Sequence, residues 1–200
     1  MNKYILLFSF FILNILYSQE TNILNSRLFF TEKDKLTSKM NIYTSWKETY
    51  KYLRDNRFRF YKKAGRTITL EFRYKYPSQI FVNNGTPIIF TFNDGSSVQL
   101  TNVQKVVYSP YLMGDKQYYD VEVRYKFDND DEFNSFANAA ITNIRFNFIN
   151  QFSEEVYDDI GISSLTTSNW QFIFEAYRDG IAKLEELNNN NNNNNNVTND

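Results

Sequence analysis

Apolar and polar side chains alternate strictly along three stretches of the chain, residues 66–76, 118–127 and 143–148. A period of two is typical of half-buried strands in an antiparallel sheet, so three strands are predicted. Pro77 ends the first of them because proline cannot donate to the hydrogen-bond ladder. The apolar positions are Ile68, Leu70, Phe72, Tyr74 and Tyr76; Tyr119, Val121, Val123, Tyr125 and Phe127; and Ile144, Phe146 and Phe148.

A hairpin is predicted over residues 87–100, where alternation runs into a tight turn and resumes after it. The turn, residues 93–96, contains Gly95, which adopts a positive φ without steric cost. Residues 83–85 form a second predicted turn that leads into this hairpin. The apolar face of the hairpin consists of Ile88, Phe90, Phe92, Val98 and Leu100.

A short amphipathic helix is predicted directly after the acidic run at residues 128–132. Apolar residues recur there with helical spacing, and the acids lie at the positive end of the helix dipole. Because the strand pattern resumes at once, this helix lies between two late strands. The helical apolar positions are Phe133, Phe136, Ala137 and Ala140.

A longer helix is predicted near the end of the chain. Ser168 and Gln171 match a capping box, which places the start of the helix at Ser168, and Gly180 weakens it locally. The opposite face mixes acids and bases, which favours a helix that covers a sheet over one that lies on a membrane. The apolar stripe consists of Trp170, Ile173, Phe174, Tyr177, Ile181 and Leu184.

Weaker patterns predict the remaining elements. The spacing of Trp46, Tyr50 and Leu53 also suits a short helix, so strand and helix both stay open there. Short strands are predicted over residues 28–30, 41–46, 103–109 and 156–160, with loops over 31–35 and 110–116.

Both ends of the chain have distinctive composition. Residues 1–18 combine one lysine, an apolar core and a terminal serine, the pattern of a secretory signal peptide; the segment is shorter than a membrane span. Cleavage after Ser18 would remove this apolar segment, so no stable membrane anchor is expected. The predicted location is secreted or periplasmic. A single domain is predicted over residues 19–187. The asparagine-rich segment at 188–200 is predicted to be a disordered tail.

Composition narrows the possible chemistry. The chain has 19 Phe and 15 Tyr, enough to build a large core, but no Cys and no His. Disulfides, the usual zinc sites and His-dependent triads are therefore excluded. The net charge of −1, without blocks of one sign, indicates no surface for nucleic acid or other polyanions.

The acidic run at residues 128–132 is the one cluster that invites a metal hypothesis. An EF-hand loop would need glycine at Phe133 and glutamate at Ala139, and neither requirement is met. The run is therefore interpreted as a turn that caps the following helix. No metal ligand, cofactor-binding residue or catalytic residue is assigned.

Carboxylates and tyrosines on the predicted strands allow two kinds of site. Glu71, Asp120 and Glu122 could serve a glycosidase, but they alternate with basic residues as on a solvent-exposed face. An aromatic platform for carbohydrate or peptide is the other possibility, although such residues usually belong to a core. The platform candidates are Tyr108, Tyr111, Tyr118, Tyr119 and Tyr125.

The order of these pieces resembles a group of small uncharacterised secreted proteins of Gram-negative bacteria. The resemblance lies in FTFNDGSSVQL with its Asp-Gly turn, YYDVEVRYKF, DNDDEFNSFANA and a strand that opens Ile-Thr-Asn-Ile-Arg-Phe. It covers residues 66–150, and the Ser-Gln end of the signal also matches. The resemblance supports the topology and implies no activity, cofactor or catalytic residue.

Together these patterns predict an α+β domain with a mostly antiparallel sheet, a short helix between later strands and a C-terminal amphipathic helix packed on the sheet. Two functions stay open. One is a non-catalytic binding or structural module with an unknown partner, and the other is a carboxylate-dependent hydrolase that acts, for example, on glycans.

Overall fold

A computed structural model describes residues 29–37, 39–51 and 54–196. The predicted signal peptide, Leu28, Leu53 and residues 197–200 lie outside the described residues. Within them, the chain is broadly α+β and mostly antiparallel sheet. The strands are β1 Phe29–Lys33, β2 Met40–Thr44, β3 Lys47–Lys51, β4 Arg54–Lys62, β5 Thr69–Tyr76, β6 Ile80–Val82, β7 Pro87–Phe92, β8 Ser97–Asn102, β9 Val106–Val107, β10 Ser109–Met113, β11 Lys116–Lys126, β12 Ile141–Asn150 and β13 Glu155–Gly161.

The sheet follows the order β1-β2-β4-β5-β11-β8-β7-β12, and β13 pairs with β12. It curls strongly, so that strands far apart in this order face one another. Phe72 on β5 lies 5.1 Å from Phe146 on β12, measured between ring centroids. The hydroxyl of Tyr74 donates to Asp158 Oδ2 on β13 at 2.7 Å. The alternating apolar residues thus enclose a common core, and the polar faces of the same strands form an outer surface.

Phe60 on β4 is the centre of an aromatic cluster in this core and has no solvent exposure. Its ring lies 4.7 Å from Phe133 and 5.1 Å from both Phe136 and Phe174, each in an edge-to-face arrangement. Edge-to-face pairs add to the stability that burial alone supplies. Because the chain has no cysteine, its stability depends on packing of this kind and not on disulfides.

The predicted short helix is present as a 3-10 turn, Asp130–Phe133, followed by α1, Asn134–Asn138. The side chain of Asn129 accepts from the Glu132 N–H, and Glu132 Oε2 accepts from the Asp128 N–H. The two bonds resemble a capping box, except that Glu132 accepts from the residue before the N-cap rather than from the N-cap itself. The interpretation of the acidic run as a helix cap is therefore confirmed.

The second helix, α2, spans Ser164–Asn196 and begins earlier than predicted. Ser168 does not cap it. Ser163 Oγ instead accepts from the Thr166 N–H at 3.3 Å, and Ser168 Oγ donates to the Ser164 carbonyl within the helix. The sequence match was wrong because serine also bonds to the backbone inside a helix.

The predicted apolar stripe of α2 is buried at five of its six positions and half-buried at Ile173. The Trp170 ring lies 5.1 Å from Phe58, and the Tyr177 hydroxyl donates to the Ile42 carbonyl at 3.1 Å. At Gly180 a Cβ atom would approach Phe29 Cζ to 2.7 Å. The glycine thus permits close contact between α2 and β1.

The asparagine run continues α2 as far as Asn196. Disorder of the tail over residues 188–200 stays a prediction. Asparagine is less favourable in a helix than alanine by no more than about 0.7 kcal/mol per residue. Extension of an existing helix also avoids the cost of nucleation. No helix in the described part of the chain has the length and apolarity needed to cross a membrane.

Three other local predictions are corrected by the sheet. The predicted loop at 31–35 is strand as far as Lys33, and most of the loop at 110–116 belongs to β10. The helix alternative built on Trp46, Tyr50 and Leu53 is wrong because Lys47–Lys51 is β3. In each case pairing with an adjacent strand outweighs the local preference. β4 and β6 were not predicted.

The predicted hairpin is confirmed as β7 and β8, with Phe90 opposite Val98 and Thr91 opposite Ser97. Gly95 has φ +83°. We expect Gly95→Val to destabilise the domain by about 1–3 kcal/mol because a β-branched residue is strained at positive φ. Chemical denaturation measures this effect. Ser97→Val at the exposed neighbouring strand position should be nearly neutral, and equal midpoints for both variants would contradict the turn conformation.

Candidate functional site

A buried carboxylate lies at the centre of the outer face of the sheet. Strand pairing places Arg59 on β4 and Arg124 on β11 on either side of Glu71, which is 5% exposed. Arg59 Nη2 lies 2.6 Å from Glu71 Oε2, and Arg124 Nε donates to Oε1 at 3.2 Å. Both oxygens are engaged by guanidinium groups, so Glu71 bridges three strands as a fixed anion.

The next two rows of the outer face carry the other two predicted carboxylates, Glu122 opposite Arg73 and Asp120 opposite Lys75. Glu122 pairs with Arg73, whose Nε donates to Oε2 at 2.6 Å. Burial raises the pKa of Asp120, against the influence of nearby Lys75 and Arg73, and Oδ1 of Asp120 has no hydrogen-bond partner within the described residues. All three carboxylates lie on the predicted face, and two of them are held in ion pairs.

Trp46 lies among three arginines beside these ion pairs. The guanidinium carbons of Arg57, Arg59 and Arg73 are 5.2, 4.6 and 4.8 Å from the Trp46 ring. These are cation–π distances. The indole therefore supports Arg57 and Arg73, two like charges that lie directly opposite each other on β4 and β5.

A polar groove of about 660 Å³ crosses the same outer face. This volume is within the usual range for small-ligand sites. The groove carries side chains from five neighbouring strands, β1, β2, β4, β5 and β11. Its lining residues are Glu32, Tyr43, Arg59, Tyr61, Lys63, Arg66, Thr67, Thr69, Glu71, Val103, Arg124 and Lys126.

The groove is rich in positive charge. Five of its lining residues are cationic and two are acidic. Lys63 and Arg66 lie in the loop between β4 and β5, which is closed by a hydrogen bond from the Arg66 N–H to the Lys63 carbonyl at 3.0 Å. Lys126 ends β11, directly opposite Thr69. Within the described residues, none of these three exposed cations forms an ion pair.

Two tyrosines on adjacent strands form part of the groove lining. Tyr43 on β2 lies directly opposite Tyr61 on β4, and both are half-buried. Phe30 stacks on Tyr43 at 5.5 Å, and Arg59 lies 5.7 Å from the same ring. Lys63 Nζ lies 5.7 Å from the Tyr61 ring. Both rings thus already have neighbours, and their phenol hydroxyls are the polar groups they contribute.

The tyrosines predicted as a platform lie elsewhere. Tyr125 is fully buried in the core, where burial raises its pKa and its hydroxyl has no partner within the described residues. Tyr108 packs edge-on against Phe81 and Tyr119 at 5.5 and 5.0 Å. Tyr118 is half-buried, and the side chain of Tyr111 lies outside the described part of the structure. The platform alternative therefore fails for Tyr125, whose burial agrees with the usual role of such residues in a core.

A second groove, of about 580 Å³, lies at the turn before β7 and beside β13. Glu155 is its one charged lining residue, and Tyr157 is held beneath the Arg145 guanidinium at 4.3 Å. Arg145 in turn pairs with Asp159 at 2.8 Å. This groove lacks the cluster of unpaired cations that distinguishes the first one.

Two lysines are buried beneath the sheet surface. Lys62 is 3% exposed; Nζ bonds to Asp130 and lies 2.9 Å from Glu185 Oε1 on α2. Burial lowers the pKa of Lys62, and the two carboxylates more than offset this effect, so the pKa lies above its usual value. Lys47 is 7% exposed and donates to Ser45 Oγ at 2.7 Å. Burial lowers the pKa of Lys47 to about 8.

No cluster of three or more potential metal-ligating side chains occurs in the part of the chain that the structure describes. Compared with family models, curated proteins and solved structures, the chain gives no match. Any functional conclusion therefore rests on the groove itself.

We expect Glu71→Gln to lower the free energy of unfolding by about 1–2 kcal/mol, because an amide cannot neutralise two guanidinium groups. Urea denaturation measures this loss. Glu122→Gln is the matched control, since Glu122 and its partner Arg73 are both partly exposed, and should cost at most about 0.5 kcal/mol. Equal effects of the two substitutions would show that burial of Glu71 has no special importance.

Proposed function

We propose that this protein is an exported, non-catalytic binding module whose ligand lies in the first groove of the outer sheet face. The proposal rests on one observation, the pair of guanidinium groups that hold Glu71. A glycosidase needs one carboxylate to donate a proton and another to act as base or nucleophile. Glu71 is held by Arg59 and Arg124, whose guanidinium groups occupy both its oxygens. The arrangement suits recognition better than proton transfer.

The rest of the groove supports the same proposal. Glu32 is the one other carboxylate of the lining, and it lies on the edge strand β1. The groove floor is formed by side chains of paired strands, so the polar groups are held in fixed positions. Pre-positioned polar groups are typical of binding sites because little ordering remains to be done when the ligand arrives.

Catalysis is tested by incubating the protein with neutral and acidic polysaccharides and assaying for new reducing ends. We expect release no greater than that of Glu71→Gln. Product release by the parent that disappears in a folded Glu71→Gln variant would overturn the proposal and favour a carboxylate-dependent hydrolase.

Export is the second part of the proposal and depends on residues 1–18. The lysine, apolar core and Ser18 predict cleavage before Gln19. Mass spectrometry of the protein from its native host is expected to find a mature N-terminus near Gln19. A dominant species that retains residues 1–18 would contradict secretion by cleavage. The single-domain boundary at residue 19 stays a prediction in the same way.

The third part concerns α2, which we infer to be a permanent cover of the sheet rather than a stripe that a partner displaces. Support comes from three contacts, those of Trp170 with Phe58, Phe174 with Phe60 and Tyr177 with the Ile42 carbonyl. Lys62 adds an ion pair from β4 to Glu185. A covered inner face leaves the outer face as the surface for recognition.

A further inference from the structure

We propose that the ligand of the groove is an acidic oligosaccharide, a sugar chain that carries carboxylate or sulfate groups. This inference rests on the proposed function and specifies its ligand class. The even charge balance of the chain indicates no polyanion surface, but strand pairing collects basic residues that are far apart in sequence. The groove has five cations against two acids, although the whole chain has a net charge of −1.

The free cations determine the sign of the ligand. Arg59 and Arg124 pair with Glu71, whereas Lys63, Arg66 and Lys126 form no ion pair within the described residues. Lys63 is close enough to Asp34 for the two charges to attract each other, without a direct contact. Three like charges around one concavity create a positive potential that attracts anions. Lysine and arginine both form charge-assisted hydrogen bonds with carboxylate and sulfate oxygens. A ligand with several negative groups would satisfy them together.

The length of the groove indicates a chain rather than a single small ion. Its lining runs from Glu32 on β1 to Lys126 on β11, across five neighbouring strands. At about 4.8 Å between strands, this distance is about 19 Å. An inorganic anion would contact one end of it, while an extended oligomer would contact the whole length.

Hydroxyl groups between the cations suit a sugar. Thr69 lies between Tyr61 and Lys126 in the strand register, and Thr67 also lines the groove. The hydroxyls of both threonines have no hydrogen-bond partner within the described part of the chain. The hydroxyls of Tyr43 and Tyr61 also have no hydrogen-bond partner within the described residues. Each can both donate and accept, as sugar hydroxyls can. The groove thus presents a row of hydroxyl groups, from Tyr43 through Tyr61 to Thr69, that ends at a cation, Lys126.

The aromatic rings disfavour single-stranded nucleic acid as the ligand. Recognition of bases generally uses aromatic faces on which successive bases stack. Tyr43 already contacts Phe30 and Arg59, and Tyr61 already contacts Lys63. Stacking would have to displace these neighbours, whereas hydrogen bonding to the hydroxyls leaves them in place.

The experiment is a calorimetric titration with oligogalacturonate, a carboxylated sugar chain, and with a neutral glucan oligomer of similar length. We expect saturable binding of the first and none of the second. The variant Lys63→Gln/Arg66→Gln/Lys126→Gln should weaken binding by about tenfold or more. Its matched control is Lys35→Gln/Lys105→Gln/Lys116→Gln, which removes the same charge at exposed positions outside the groove and should change affinity by less than about threefold.

Each contrary result has a distinct meaning. If both triple variants lost the same affinity, the binding would come from general charge attraction, and the groove would not be the binding site. Equal binding of the neutral glucan, or tighter binding of single-stranded DNA through the same three residues, would overturn the ligand class. If oligogalacturonate bound in the groove and was cut, this inference would stand and the non-catalytic function would fail. If nothing was cut and the groove variant bound as the parent does, the inference would fail alone.

Discussion

Phe174→Ala is expected to lower the free energy of unfolding by about 3–5 kcal/mol, the usual cost of removing a phenyl ring from a packed core. Phe174 is 1% exposed, and its ring lies 5.1 Å from Phe60 and 6.1 Å from Phe58. The domain has no disulfide to compensate, and a total stability of about 5–15 kcal/mol is typical. Urea denaturation followed by circular dichroism measures the change.

Phe172→Ala is the matched control, because Phe172 lies on the same helix but is 61% exposed. It should cost no more than about 0.5 kcal/mol. In a Trp46→Phe background, the emission of Trp170 should be blue-shifted in the folded protein and move to the red on unfolding. Equal stability of both alanine variants, with Trp170 emission typical of an exposed indole, would show that the stripe of α2 is a free docking surface.

Lys47→Met is expected to stabilise the protein at neutral pH by up to about 3 kcal/mol. Lys47 lies opposite Phe58, beneath the sheet surface, and has no carboxylate partner within the described residues. Burial lowers its pKa to about 8 from an ordinary value of 10.5, so folding is penalised whenever the unfolded amine would hold its proton. Methionine has similar length and no charge to desolvate.

The stabilisation by Lys47→Met should depend on pH in a defined direction. Between about pH 8 and 10.5 the unfolded chain binds more protons at Lys47 than the folded chain, so stability rises with pH across that window. The advantage of Lys47→Met should be full below about pH 8 and absent above about pH 10.5. Lys116→Met, at an exposed position, should show no such trend. A constant difference between Lys47→Met and the parent over this range would contradict a buried ammonium.

The strands that could be predicted from sequence are those with an uninterrupted period of two. β5, β11 and β12 each place phenylalanine, tyrosine and branched residues on one face, and the structure confirms them. The hairpin of β7 and β8 was predictable because Gly95 marks its turn. In these segments local pattern and tertiary burial agree.

In the segments whose strands were not predicted, the local sequence pattern and the tertiary burial do not agree. β4 contains only Phe58 and Phe60 as buried apolar residues among basic ones, so its pattern is short. β10 contains a proline and reads as a loop, yet it pairs with β11. Its strand character comes from the partner strand, which single-sequence patterns do not reveal.

The groove could not be predicted because its members come together through register. Tyr43, Tyr61, Thr69 and Lys126 are directly opposite neighbours on β2, β4, β5 and β11, but they are spread over more than 80 residues of sequence. One usable signal was the alternation of arginine with phenylalanine at residues 57–60, followed by Lys63. It indicated a basic outer face beside a buried inner one.

The most direct measurement is a titration of the isotope-labelled protein with oligogalacturonate, followed by the backbone amide resonances. The account predicts saturable shifts clustered at Tyr61, Lys63, Thr69 and Lys126, at the same affinity as the calorimetric titration. Resonances around Asn84 and Tyr157, in the second groove, should stay in place. Shifts confined to the second groove, or no shifts at concentrations that saturate binding, would contradict the assignment of the outer-face groove as the binding site.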